Sequence, residues 1–170
     1  MQGINIIVIA HDIRSSHNIG ALFRTCEALG VSELILSGYS PYPIHDKDTR
    51  LPHLANKISE QIHKTALGAE KLLTWQKIDD IESFISSKKK QGYKILALEQ
   101  YSKSVSLNTL NPPKKVVLIL GREVEGIDRS ILKLASQVVE IPMIGKKESL
   151  NVVQAAAIAI YHLRYAGIKA

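Results

Sequence analysis

The sequence predicts an α/β domain with a largely parallel sheet flanked by helices. Two apolar runs without polar alternation, Ile4 to Ala10 and Val116 to Leu120, suit strands covered on both faces. Segments of helical spacing alternate with runs of this kind, the order expected of crossover helices over parallel strands. Three post-strand loops are also unusually polar or glycine-bearing, at the ends of strands where open α/β sheets hold ligands.

After the first strand, His11 to Asn18 reads as a loop. Ile19, Leu22, Phe23, Cys26 and Leu29 then recur at helical spacing, with Ser15, Ser16 and Asn18 as candidate N-caps and Gly30 as the stop. Glu33 to Ser37 reads as the second strand, followed by a loop rich in Tyr and Pro, Gly38 to Pro43. Leu54 through Leu73 is read as helical, and Ile78 to Lys90 as a further helix ending before Gly92. Tyr93 to Leu98 is the third strand, and a Ser/Asn/Pro segment, Ser102 to Pro113, leads to the run ending at Gly121. Asp128 suits the cap of a short helix to Leu134, Val138 to Ile141 reads as the fifth strand, and Leu150 to Tyr165 as the closing helix.

A chain of 170 residues suits one compact domain, which buries roughly 70% of the surface that its unfolded form exposes. With no repeat or linker visible, a single domain over 1–170 is expected. Cys26 is the one cysteine and has no intramolecular disulfide partner, and no signal-like segment opens the sequence; both favour a reducing cytoplasm. The most apolar stretch, Val152 to Tyr161, is interrupted by Gln154 and falls well short of the roughly 20 residues that cross a bilayer, so a soluble protein without membrane contact is expected. The net charge of +6 suits a polyanion partner but is spread along the chain. The basic run Lys88-Lys89-Lys90 equally suits the solvated end of a helix, where cations complement the dipole.

The first loop and helix, HDIRSSHNIGALFRTCEALG, has only Gly20 before the helix is under way and so lacks the closely spaced glycines of a dinucleotide site, which argues against an NAD-linked oxidoreductase. The second, GREVEG, places Gly121, Glu123 and Gly126 directly after a buried strand; alone, it fits a strand terminator as well as a site. The third, IPMIGKKESLNVVQAAA, turns at Pro142 and Gly145, and Ser149 and Asn151 equally suit caps of the last helix.

Together and in order, these segments resemble the SpoU/TrmH branch of the SPOUT RNA methyltransferases. Asn18-x-Gly20-Ala21-x-x-Arg24-Thr25 resembles the first family motif, GREVEG after VVLIL the second, and IPMIGKKESLNV the third. The resemblance spans nearly the whole chain and is poorest from Tyr39 to Trp75. One departure is Val153, where many relatives carry Ser two residues beyond the Asn, which puts a helix-start hydrogen bond in question. The compact chain, without a long N-terminal RNA-binding extension, looks like a minimal catalytic domain.

The resemblance implies a trefoil knot in the last third, formed where the segment after Ile141 passes through a loop, which periodicity alone would not suggest. It implies S-adenosylmethionine bound at Leu98, Gly121, Ile141, Met143, Ser149 and Leu150, where strand ends and glycine turns offer apolar surface and backbone hydrogen bonds. It assigns Arg24 to the target ribose and its phosphate. Helical spacing turns Arg24 away from the Leu22, Cys26 and Leu29 stripe, and its fixed charge favours positioning and alkoxide stabilisation, with removal of the 2′-OH proton left open. Asn18 would orient the ribose or the Arg24 segment, Glu123 would pair with Arg24 or shape the cofactor turn, and Ser149 with Asn151 would align substrate and cofactor. The expected reaction is direct methyl transfer to a ribose 2′-OH of RNA, with tRNA favoured over rRNA. The alternatives are methylation of a base nitrogen and a catalytically silent RNA-binding protein of the same fold. A homodimer joined through the first-motif and closing helices is expected. No metal is implied, since His11, His17 and the other histidines form no ligand cluster with cysteine.

Overall fold

Strand β1 (Asn5–His11) lies inside the sheet, bonded on one side to β2 (Glu33–Ser37) and on the other to β6 (Lys115–Leu120). The computed structural model describes residues 4–166, so both ends of the expected 1–170 domain lie outside the described residues. With β3 (Trp75–Ile78), β4 (Lys94–Leu98), β5 (Val105–Ser106) and β7 (Gln137–Glu140), the strands run in the order β3-β2-β1-β6-β4-β7-β5. Every pairing is parallel, from Ile7 opposite Glu33 to Val105 opposite Val139.

Two apolar layers cover the sheet. On one face Ile6, Val8, Leu118 and Leu96 meet α1 (Ser16–Ala28), α2 (Pro52–Ala66) and α6 (Val152–Tyr165). On the other, Ile7, Ile9, Val117 and Ile95 meet α4 (Ile81–Lys90) and α5 (Arg129–Leu134). The split follows from strand geometry, in which neighbouring side chains point to opposite faces and both faces here are roofed. Cys26 of α1 is fully buried, and burial pushes its thiol up to about 12. Among the described residues no helix is long and apolar enough to cross a membrane.

Several boundaries differ from the sequence reading. The stretch from Leu54 to Leu73 is two helices, because Leu67 and Gly68 both take left-handed backbone (φ 52° and 96°) between α2 and α3 (Ala69–Leu72). Ile78 ends a strand, not a helix, and α4 starts at Ile81 with the Asp80 carboxylate accepting from Ser83 N. Neither β3 nor β5 was expected. Ser15 caps α1 by accepting from Asn18 N, and Gly30 follows its end with φ 66°. Asp128 precedes α5 without a side-chain cap, because its carboxylate is bonded to Arg122.

Candidate active site

The chain order reverses at β1, where β2 and β3 go to one side and β6 and β4 to the other. A crevice at the carboxyl ends of strands is expected beside such a switch. A cavity of about 260 Å³ lies at the carboxyl ends of the strands on the β6–β4–β7 side of this switch, walled by the segments that follow β4, β6 and β7 and closed by the start of α6. All six residues implied for the cofactor, Leu98, Gly121, Ile141, Met143, Ser149 and Leu150, line it.

The turn after β6 explains the spacing of its glycines. Arg122 and Gly126 exchange two backbone hydrogen bonds of 3.2 Å, folding the loop back on itself. A Cβ at Gly121 would meet Ile127 Cγ1 at 2.5 Å and the Gly126 carbonyl carbon at 2.8 Å. Gly126 sits at φ 71°, and a side chain there would run into the Glu99 carboxylate. Glu123 is thereby turned toward α1, where its Oε1 accepts from Asn18 Nδ2 at 3.0 Å.

Asn151 extends this link. Its Nδ2 donates to Asn18 Oδ1 at 3.3 Å, while its own Oδ1 accepts from Val153 N at 2.8 Å and so caps α6. The departure at Val153 thus leaves the helix start satisfied, and α6 begins at Val152 instead of Leu150. Asn18, Glu123 and Asn151 form one hydrogen-bonded chain joining three separate segments. Ser149 lines the cavity and is exposed, and it is not part of that chain.

Arg24 lies elsewhere. It is exposed on α1 and does not line the cavity. The expected alternative of a Glu123 pair with Arg24 is not what the structure holds: Glu123 faces Asn18, which lies at the start of α1, while Arg24 is more than a turn further along the helix.

Sequence reasoning missed several residues here. Glu99 Oε2 accepts from Ile127 N at 2.9 Å and Gln100 Nε2 donates to the Glu148 carbonyl at 2.7 Å, so two consecutive residues after β4 hold both other loops. Their only sequence signal was a polar pair ending a buried strand. Arg14, 4.0 Å from Glu125, is raised above its already high pKa first by a hydrogen bond with Tyr39. The ligand atoms of His11, Asp12 and Asp128 lie within 4.8 Å of one another, a grouping the search for cysteine partners overlooked. Two of its carboxylates are already engaged, Asp128 by Arg122 and Asp12 by Tyr39 N at 3.0 Å.

The profile of the SpoU rRNA methylase family matches residues 5–161 of this chain. The tRNA (guanosine(18)-2'-O)-methyltransferase of Aquifex aeolicus is 31% identical over 92% of the chain and 67% of that protein. The solved TrmH/SpoU tRNA modifying enzyme of A. aeolicus superposes with a TM-score of 0.76 at 26% identity, over 95% of this chain and 76% of its own. The AdoMet-bound rRNA methyltransferase of Sinorhizobium meliloti gives a TM-score of 0.79 at 24% identity, over 98% of this chain and 58% of its own, a likeness of fold. The chain therefore spans between about three fifths and three quarters of these three relatives.

Proposed function

The chain belongs to the SpoU rRNA methylase family, and from that premise we propose that it transfers a methyl group from S-adenosylmethionine to a ribose 2′-hydroxyl of RNA, with tRNA as substrate. The observation that carries this reading is the convergence of the loops after β4, β6 and β7 on one cavity that combines apolar side chains with several carboxylates. Leu98, Ile141 and Leu150 offer surface for an adenine ring, and exposed strand-end backbone offers its hydrogen bonds. Glu99, Glu123, Glu140 and Glu148 suit a ligand bearing positive groups and hydroxyls. The residues present therefore fit the cofactor, which when bound supplies an electrophilic methyl group.

The protein's part is alignment. Asn18, braced by Glu123 and Asn151, orients the ribose, and Ser149 at the cavity mouth holds substrate and cofactor groups in line. Arg24 grips the ribose and its phosphate through its planar fork and stabilises the developing alkoxide. The name of the A. aeolicus relative supports tRNA. The same reading takes residues 1–170 as one catalytic domain, with the family's trefoil knot in its last third, at work in the cytoplasm. It includes a homodimer. On the outer side of α6, Ile158, Tyr161 and Tyr165 are 43%, 60% and 46% exposed, with the two tyrosine rings 4.7 Å apart. The Ala155 to Ala157 run contributes less to that surface, since Ala156 is fully buried and Ala155 lines the cavity.

The test is incubation with methyl-labelled S-adenosylmethionine and either bulk tRNA or ribosomal RNA, followed by mapping of 2′-O-methyl groups. Label on tRNA riboses is expected. Label confined to rRNA overturns the substrate, label on bases overturns the ribose, and no cofactor binding by folded protein overturns the activity.

A further inference from the structure

Four carboxylates, Glu99, Glu123, Glu140 and Glu148, line the cavity against one cation, Arg122. Such a surface repels phosphates. A cluster of lysines lies at the other end of the sheet. Lys88, Lys89 and Lys90 finish α4, Lys94 opens β4, Lys114 precedes β6 and Lys115 opens it.

They form one group. β4 and β6 are adjacent, with Lys94 opposite Val116. Lys115 Nζ donates to the Gln91 carbonyl at 3.2 Å, and the ammonium groups of Lys88 and Lys115 lie 5.6 and 5.5 Å from the Tyr93 ring centre. Glu33, 3.9 Å from Lys88 Nζ, is the one carboxylate that pairs with any of the six among the described residues. Lys89, Lys90, Lys94, Lys114 and Lys115 are exposed.

The structural explanations cover only part of the group. The dipole of α4 accounts for cations in its last turn, but Lys94, Lys114 and Lys115 are outside that helix. Edge lysines protect sheets from mispairing, but β4 and β6 are interior strands. Packing like charges together is unfavourable without a counter-charge.

We infer that this lysine rim is a second RNA-binding surface, which holds the phosphate backbone of the substrate at a distance from the methyl-transfer site. The inference rests on RNA being the substrate. β6, six residues long, separates the rim from the cavity by about 20 Å, so the two surfaces engage different parts of one folded RNA. An anionic membrane fits less well, because none of the large exposed apolar side chains comes from the segments that bear the lysines, and surface helices anchor through apolar insertion.

The test compares the parental protein with the variant Lys89→Ala, Lys90→Ala, Lys94→Ala, Lys114→Ala, whose side chains make no hydrogen bond or ion pair among the described residues. Binding of bulk tRNA is followed by fluorescence anisotropy between about 50 and 200 mM salt. The variant is expected to bind at least about tenfold more weakly, with a log–log salt slope shallower by about 3 to 4. Its melting temperature and S-adenosylmethionine affinity should match the parent's. A folded variant with parental tRNA affinity and slope overturns the inference. So does an equal loss in the control variant Lys57→Ala, Lys64→Ala, or loss of binding to phosphatidylserine vesicles with tRNA binding intact. Failure of the activity is read separately: a parent that binds tRNA through these lysines but methylates no RNA removes the activity and leaves the rim standing.

Discussion

Asn18 and Arg24 share a helix and a sequence motif, yet the structure treats them differently: Asn18 is braced at both ends of its amide, while Arg24 is exposed. Arg24→Ala is therefore expected to leave stability and cofactor affinity near parental values and to abolish methyl transfer. Arg24→Lys should recover little, because lysine keeps the charge but loses the fork. Single-turnover methylation by folded Arg24→Ala at the parental rate would remove this residue from the chemistry. Asn18→Ala removes the partner of the Glu123 carboxylate and of the Asn151 Nδ2, while Asn151 Oδ1 keeps its bond to Val153 N, and a drop in kcat larger than any change in cofactor KM is expected; equal effects on both would make the link structural. Cys26 gives a pH dependence. Its folded pKa of about 12 exceeds its ordinary value of 9.0, so the native state binds the proton more tightly. The stabilisation is complete below pH 9 and declines as pH rises toward 12, by roughly 1.4 kcal/mol per unit. Urea midpoints of the parent and Cys26→Ala should therefore converge as pH passes from 8 to 10, and parallel curves would count against it. His11 and Asp12 show what spacing hides at this scale: Asp128, their neighbour in space, belongs to the far end of the sequence.

Helix α1 carries the first motif, and Gly20 within it faces α2. A Cβ there would collide with the Ile62 carbonyl and the Thr65 hydroxyl and come within 3.1 Å of Ala66 N. Gly20→Ala gains up to about 1 kcal/mol of helix propensity, but overpacking against backbone costs about 1–3 kcal/mol. Net destabilisation is expected, read as a lower urea midpoint at unchanged m-value; a midpoint equal to the parent's would show that α1 and α2 part easily. The motif made Gly20 conspicuous in the sequence, but not its reason, which lies on another helix. The elements that periodicity found are those with long one-sided patterns, such as Ile19 to Cys26 in α1 and the apolar runs of β1 and β6. Those it missed lack such a signal. β3 has four residues of which none is fully buried, β5 has two, and the break between α2 and α3 depends on a left-handed leucine that no propensity favours.

At the scale of the molecule, the sequence disclosed the parallel α/β class and two of the three loops that wall the cavity, those after β6 and β7, while strand order, the loop-to-loop latches of Glu99 and Gln100, and the lysine rim depend on contacts between distant segments. The apolar face of α6 leads to a prediction at this scale. Light scattering should give twice the chain mass of 18.8 kDa, and Ile158→Lys with Tyr161→Lys should halve it without loss of helix signal. A parent that scatters as a monomer would reject the dimer. The β1–β6 ladder also has a history in time. Asn5 pairs with Lys115 and Ala10 with Leu120, so each partner leaves the ribosome 110 residues after the other. At about 5–20 residues per second that delay is roughly 5 to 20 s. β2 arrives early, so for those seconds the nascent half-sheet offers the free edge of β1, an almost wholly apolar strand, to whatever is nearby. A strand paired on both sides in the finished protein is thus, during synthesis, open to a wrong partner and a natural place for a chaperone to hold.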